Sequence, residues 1–158
     1  MVFVIARRAI PDDDHVSRFV PKNRQDRDPE TDEFRGLTIA ACQLRTTDNG
    51  GLSVTWIEHF GPYGQQAKRD AAVAYRASLS SGKLPPQAAF AYAEVSRIKA
   101  AARQFDKAVR VVWDPVEGNP GHAEVRHFAD DDLRLLDLLS TETFIDPDFV
   151  REMNLPTV

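Results

Sequence analysis

The segment LSVTWIEHF (52–60) places Leu52, Val54, Trp56 and Phe60 on one face of a strand and puts Glu58 in line with them. A charge aligned with four apolar side chains needs a partner or a purpose. Burying even a neutral polar group without one costs roughly 2–7 kcal/mol. A second stretch, VRVVWDPVEGNPGHAEVRHF (109–128), reads as strand, Pro/Gly-punctuated loop, strand. Together they commit the chain to a sheet with polar interruptions and make Glu58 the first candidate for a site.

The remaining pattern supplies the other layer. Residues 63–80 are alanine-rich and helical in character, with Ala67, Ala71, Tyr75 and Leu79 spaced i, i+4 toward a core. Residues 129–142 form a helix whose Asp cluster complements the positive N-terminal dipole, with Leu133, Leu135, Leu136 and Leu139 as its buried stripe. Residues 2–6 are a short strand and TTDNGG (46–51) a turn. Residues 34–45 are a strand or a short helix, and period does not decide between them. Residues 87–107 are either a strand at 88–95 running into a helix at 96–105 or one continuous helix. Residues 11–33 read as a long charged surface loop, interrupted by a short strand at HVSRFV (15–20). From about 143 a tail anchored by Phe144, Ile145, Phe149 and Leu155 wraps the domain. The expected fold is α+β, a two-layer sandwich with a mixed, mostly antiparallel sheet and about three helices, in one domain over 1–158.

A chain of 158 residues is long enough to bury a core without staples, and 42% hydrophobic with 28% charged residues is a globular balance. The net charge of -4 gives no global argument for nucleic acid. The lone Cys42 excludes an internal disulfide and a Cys-rich zinc site, and it fits among Ala40, Ala41 and Leu44 as a core residue. The apolar run before Arg7 is short for a secretory signal, and no stretch approaches a membrane span. The expectation is a cytoplasmic protein with no membrane association and no cofactor.

Four histidines, His15, His59, His122 and His127, all lie in or beside polar segments. His122 opens a strand whose one face reads His122, Glu124, Arg126. A His, a carboxylate and an Arg are the parts of a metal-independent phosphodiester cleavage: base, acid, and cation for the developing charge. The plain alternatives are a solvated strand face, and for Glu58 a pairing with an arginine of the 15–27 segment. No HExxH or zinc-spaced Cys/His pair is present, so no metal is expected. Lys99, Arg103 and Lys107 make a basic stripe at helical spacing, a candidate for phosphate or nucleic-acid backbone, although solvated helix faces look the same.

HVSRFV (15–20), LSVTWIEHF (52–60) and NPGHAEV (119–125), in that order, resemble a set of uncharacterised small bacterial proteins. These share HVxRF or HVxRY near the start, LSVxWxE after a turn, and a late strand that follows a Pro- or Asp-rich loop and begins His-Ala. The resemblance covers most of residues 15–128. It implies a bacterial origin and marks His15, Arg18, Trp56, Glu58 and His122 as the matching positions. The group has no established activity, so it implies no mechanism, and this chain carries a charged insertion at about 21–35.

Three functions are compatible with these residues. The first is an interaction or accessory subunit working with an operon-encoded protein partner, suggested by the charged 11–33 segment, the apolar tail and the lack of a cofactor motif. The second is a small metal-independent enzyme acting on RNA or a nucleotide, with His15, Glu58 and His122 as acid/base groups and Arg18 or Arg126 stabilising phosphate charge. The third is a non-catalytic nucleic-acid-binding module built on the basic stripe.

Overall fold

The computed structural model describes residues 8–44, 51–127 and 131–157. The strand expected at 2–6, nearly all of the 46–51 turn and the start of the last helix lie outside these. Nine strands are described: β1 Arg8–Ala9, β2 His15–Val20, β3 Gln25–Arg27, β4 Phe34–Leu37, β5 Leu52–Trp56, β6 Ala89–Glu94, β7 Arg110–Trp113, β8 His122–Arg126 and β9 Ile145–Phe149. The helices are α1 Gln65–Ser78, α2 Val95–Arg103 and α3 Leu133–Leu138, the last running into a π-helical turn at Leu139–Thr143. This is the α+β sandwich expected. Seven strands form one sheet in the order β1-β7-β8-β5-β2-β6-β9, and β3-β4 form a small second ladder. Every described pairing is antiparallel.

The two sheet faces follow the alternation of each strand. Val16, Val20, Leu52, Val54, Ala91, Ala93, Val111, Ala123 and Val125 face Ile98, Ala101 and Ala102 of α2 and Leu135 and Leu136 of α3 in the main core. The opposite face carries Phe19, Phe90 and Tyr92, covered by Ala67, Ala71 and Ala72 of α1 and by Met153. Because both faces are covered, Ala89 to Ala93 are buried without a break. That resolves the 87–107 ambiguity in favour of strand then helix. β6 pairs with β2 along Ala89 to Glu94 and with β9 on its other edge. These ladders outweigh a helix preference for alanine that is worth at most about 0.7 kcal/mol per residue. Residues 34–45 split between the two readings, as β4 and then a 3₁₀ turn at Ile39–Cys42.

Several expectations need correction. The short strand expected at HVSRFV is β2, an interior strand of the sheet with Val16 and Val20 fully buried, and the 11–33 segment adds an unexpected strand, β3. The strand at 52–60 stops at Trp56, and Ile57–Phe60 is a 3₁₀ turn. Glu58 therefore does not share a strand face with Leu52, Val54 and Trp56. In α3 the stripe is Leu135, Leu136 and Leu139, while Leu133 is 59% exposed. Asp132 caps the helix, its carboxylate accepting from the backbone N–H groups of Arg134 and Leu135. Leu133 thus occupies the first helical position, before the chain turns its side toward the core. Leu79 caps α1 from outside the helix and takes no place in the core clusters. The tail contributes an edge strand, with Phe144 buried at its root.

Replacing Leu136 with Ala is expected to cost about 2–5 kcal/mol in denaturant unfolding, and the same change at Leu133 no more than about 0.5 kcal/mol. Equal losses would contradict this placement of the helix.

Candidate functional site

Antiparallel pairing gathers one end of each strand at a single end of the sheet. The register aligns His15 with Glu94, Val16 with Trp56, Thr55 with His122, and Tyr92 with Ile145. The start of β2, the turn after β5, the end of β6 and the start of β9 meet there. They enclose a cleft of about 300 Å³ whose lining includes His15, Tyr63, Lys68, Tyr92, Glu94 and Arg97.

Glu58 and His15 meet in this region. The Glu58 carboxylate accepts from the backbone N–H of His15 at 2.8 Å and lies 2.8 Å from His15 Nδ1. A carboxylate only accepts, so Nδ1 carries the proton and Nε2 presents its lone pair. Nε2 has no hydrogen bond to any described residue. Burial raises the Glu58 carboxyl above its ordinary value of 4.5, the two hydrogen bonds from His15 oppose that rise, and the Asp14 charge adds to it. Asp14 is itself held by the indole N–H of Trp56 at 2.9 Å. The partner of Glu58 is therefore a histidine, not the arginine considered from sequence.

Tyr63 stacks on the His15 ring, with centroids 3.6 Å apart and planes 14° from parallel. Gly61 makes this approach possible. Its φ of 140° with ψ of -176° belongs to a region essentially restricted to glycine. It turns the chain out of the 3₁₀ segment and across His15 through Pro62. Lys68 of α1 places Nζ 4.9 Å from the Tyr63 ring centroid and 4.4 Å from that of Tyr92. Lys68 and Arg97 make no ion pair with a described residue. The Tyr92 hydroxyl donates to Asp148 at 2.7 Å. Burial, and then that bond, push the Tyr92 phenol far above its ordinary value of 10.0, and burial raises Tyr63 as well.

The other expected residues lie elsewhere. Arg18 is buried on the opposite face of β2, donating from Nε to the Ala41 carbonyl at 3.0 Å and from Nη1 to the Ser53 carbonyl at 2.8 Å. It fastens the 39–42 turn to the sheet. His122 is on the α1 face of β8, bonded to Ser53 and to the Asp114 carbonyl rather than to Glu58. Asp114, His122 and Glu124 bring donor atoms within 4.8 Å of one another. Both ring nitrogens of His122 are already hydrogen-bonded, and Glu124 pairs with Arg126 at 2.7 Å. The basic stripe is shorter than expected. Lys99 is paired with Asp12 at 2.6 Å, Arg103 ends α2, and Lys107 lies beyond the helix. Tyr63, Lys68, Tyr92 and Arg97 were not read as site residues. Only the Gly61-Pro62 break ahead of Tyr63 signals any of them.

No family model, curated protein or solved structure matches this chain. Among the described residues, no helix is long and apolar enough to cross a membrane.

The raised Tyr92 phenol gives a directional expectation. Above about pH 10 the unfolded chain loses this proton and the folded one keeps it, so stability present below that pH falls as pH rises. Tyr92→Phe should flatten that alkaline decline in denaturant unfolding. An unchanged slope would remove Tyr92 as its source.

Proposed function

We propose that this protein is a small bacterial cytoplasmic enzyme of the metal-independent acid–base type, acting on RNA or a nucleotide. The observation that carries the reading is the double hydrogen bond from His15 to Glu58 beside a cleft that also holds Lys68 and Arg97. Glu58 fixes the His15 tautomer, leaving Nε2 to take a proton from a hydroxyl or a water that attacks phosphorus. The two cations offset charge that builds on the phosphoryl oxygens. Tyr63, with its phenol raised, stays neutral and can donate a hydrogen bond. Glu94 and Asp146 line the same cleft. Their negative charge favours a substrate held by directed contacts over one drawn in by a general positive field.

The second reading is an accessory subunit with a protein partner. Its support is the exposure of Tyr63 at 42% and Ile145 at 38% on the walls of the cleft. The tail anchors that first suggested a partner are engaged within the molecule. Phe144 is buried, and Phe149 packs against Phe34 at 5.1 Å.

Glu58→Gln decides between them. A glutamine amide donates where the carboxylate accepted, so Nδ1 must become the acceptor and Nε2 the protonated atom. Cleavage of a labelled RNA, or phosphate release from nucleotides, should fall by roughly 10²–10⁴-fold. Thermal stability should hold. A carboxyl raised in the fold contributes stability below its unfolded value of 4.5 that is lost as pH rises through the folded value, so at neutral pH its ionisation contributes none for the variant to lose. Wild-type protein inert toward both substrates, or a variant as active as wild type, would reject the enzyme reading.

A further inference from the structure

A second arrangement with chemical potential lies away from the His15 cleft, where β5 and β8 pair. His122 Nδ1 is 2.8 Å from the backbone carbonyl oxygen of Asp114. A carbonyl can only accept, so in the neutral ring Nδ1 carries the proton and Nε2 the lone pair. Nε2 lies 2.9 Å from Ser53 Oγ, so the serine hydroxyl donates to it. This is the order of a nucleophile, a base, and a group that orients the base. The Asp114 and Glu124 carboxylates stand close to the ring and would stabilise the imidazolium formed when it takes the serine proton.

The surroundings hold the pair in place. The backbone N–H of Asp114 donates to the His122 carbonyl at 2.9 Å, and the loop between them is folded around Asn119, which is fully buried. The Asn119 side chain donates to Thr55 Oγ1 at 3.0 Å and accepts from the Gly121 N–H at 3.0 Å. That fixes the residue immediately before His122 onto β5. Ser53 and His122 are both partly exposed. Ser53 also borders a hollow of about 20 Å³, walled by Phe19, Tyr75 and Phe90. A space of that size holds about one water or a methyl group.

We propose that Ser53 is a nucleophile activated by His122, and that it takes the acyl group of short-chain esters. The inference does not rest on the His15–Glu58 reading. Ser53 Oγ bonds to the ester carbonyl carbon as its proton passes to His122 Nε2. The carbon–oxygen bond to the leaving alcohol then breaks, and His122 returns the proton to that oxygen. Water, deprotonated by the same nitrogen, releases the acid and restores the serine.

The test is p-nitrophenyl acetate with the full chain, quenched in acid during the first turnover, before water releases the acyl group, and read by peptide mass mapping. Wild type should gain one acetyl group on Ser53, and Ser53→Ala should lose that adduct. His122→Gln should acylate Ser53 roughly a hundredfold more slowly, while Glu58→Gln should acylate it at the wild-type rate. Should His122→Gln not fold, the pH profile of wild-type acylation takes its place, and it must rise as an imidazole loses its proton. No acetyl on Ser53, a rate indifferent to His122, or a flat pH profile would overturn the proposal.

Discussion

β2 is bonded along its whole length to β6 and over its first half to β5. Its position is therefore set before any loop is placed. Its alternation sends Val16 and Val20 into the main core and His15 and Phe19 to the α1 face. A slip of one residue would reverse every one of those choices. It would bring the His15 ring toward the aliphatic core and take two fully buried valines out of it. The apolar register that stabilises the sheet thus also holds His15 against Tyr63 and within reach of Glu58. Stability and the chemistry of the cleft share one ladder.

Antiparallel pairing extends that constraint. Residues far apart in the chain, His15, Glu58, Glu94 and Ile145, arrive at one end of the sheet because strands that run in opposite directions bring starts beside ends. No spacing rule within a single segment encodes this. The α+β class and the strands at 15–20, 52–56, 110–113 and 122–126 were legible, because alternation and turn residues are local signals, whereas the alternation that drew attention to Glu58 ends at Trp56. HVSRFV was legible as a short strand, but its interior place between β5 and β6 was not, since pairing partners are not written in the segment itself. The identity of the Glu58 partner was not legible. It depends on β2 pairing with β5, a contact across about forty residues. Arg18 shows the opposite failure. Its sequence neighbours made it look like a site cation, but it sits on the same side of β2 as Val16 and Val20, where its guanidinium serves two backbone carbonyls. Lys68 and Arg97 enter from two helices on opposite faces of the sheet, which no single helical stripe can reveal.

His15 and His122 are wired by the same logic and differ in the partner at each ring nitrogen. In each, Nδ1 faces an oxygen acceptor, so Nε2 is the basic atom. Glu58 holds His15 with a carboxylate, which gains from a positive ring. A backbone carbonyl accepts at His122 Nδ1, with the Asp114 and Glu124 carboxylates close to the ring. His15 Nε2 meets no donor among the described residues, so it is placed to take a proton from a ligand in the cleft and to deliver it again. His122 already has Ser53 as its donor, so a proton it accepts leaves an alkoxide beside it and calls for immediate bond formation. The partner at Nδ1 fixes which nitrogen of each ring is the base, and the neighbour at Nε2 sets which proton that base can take.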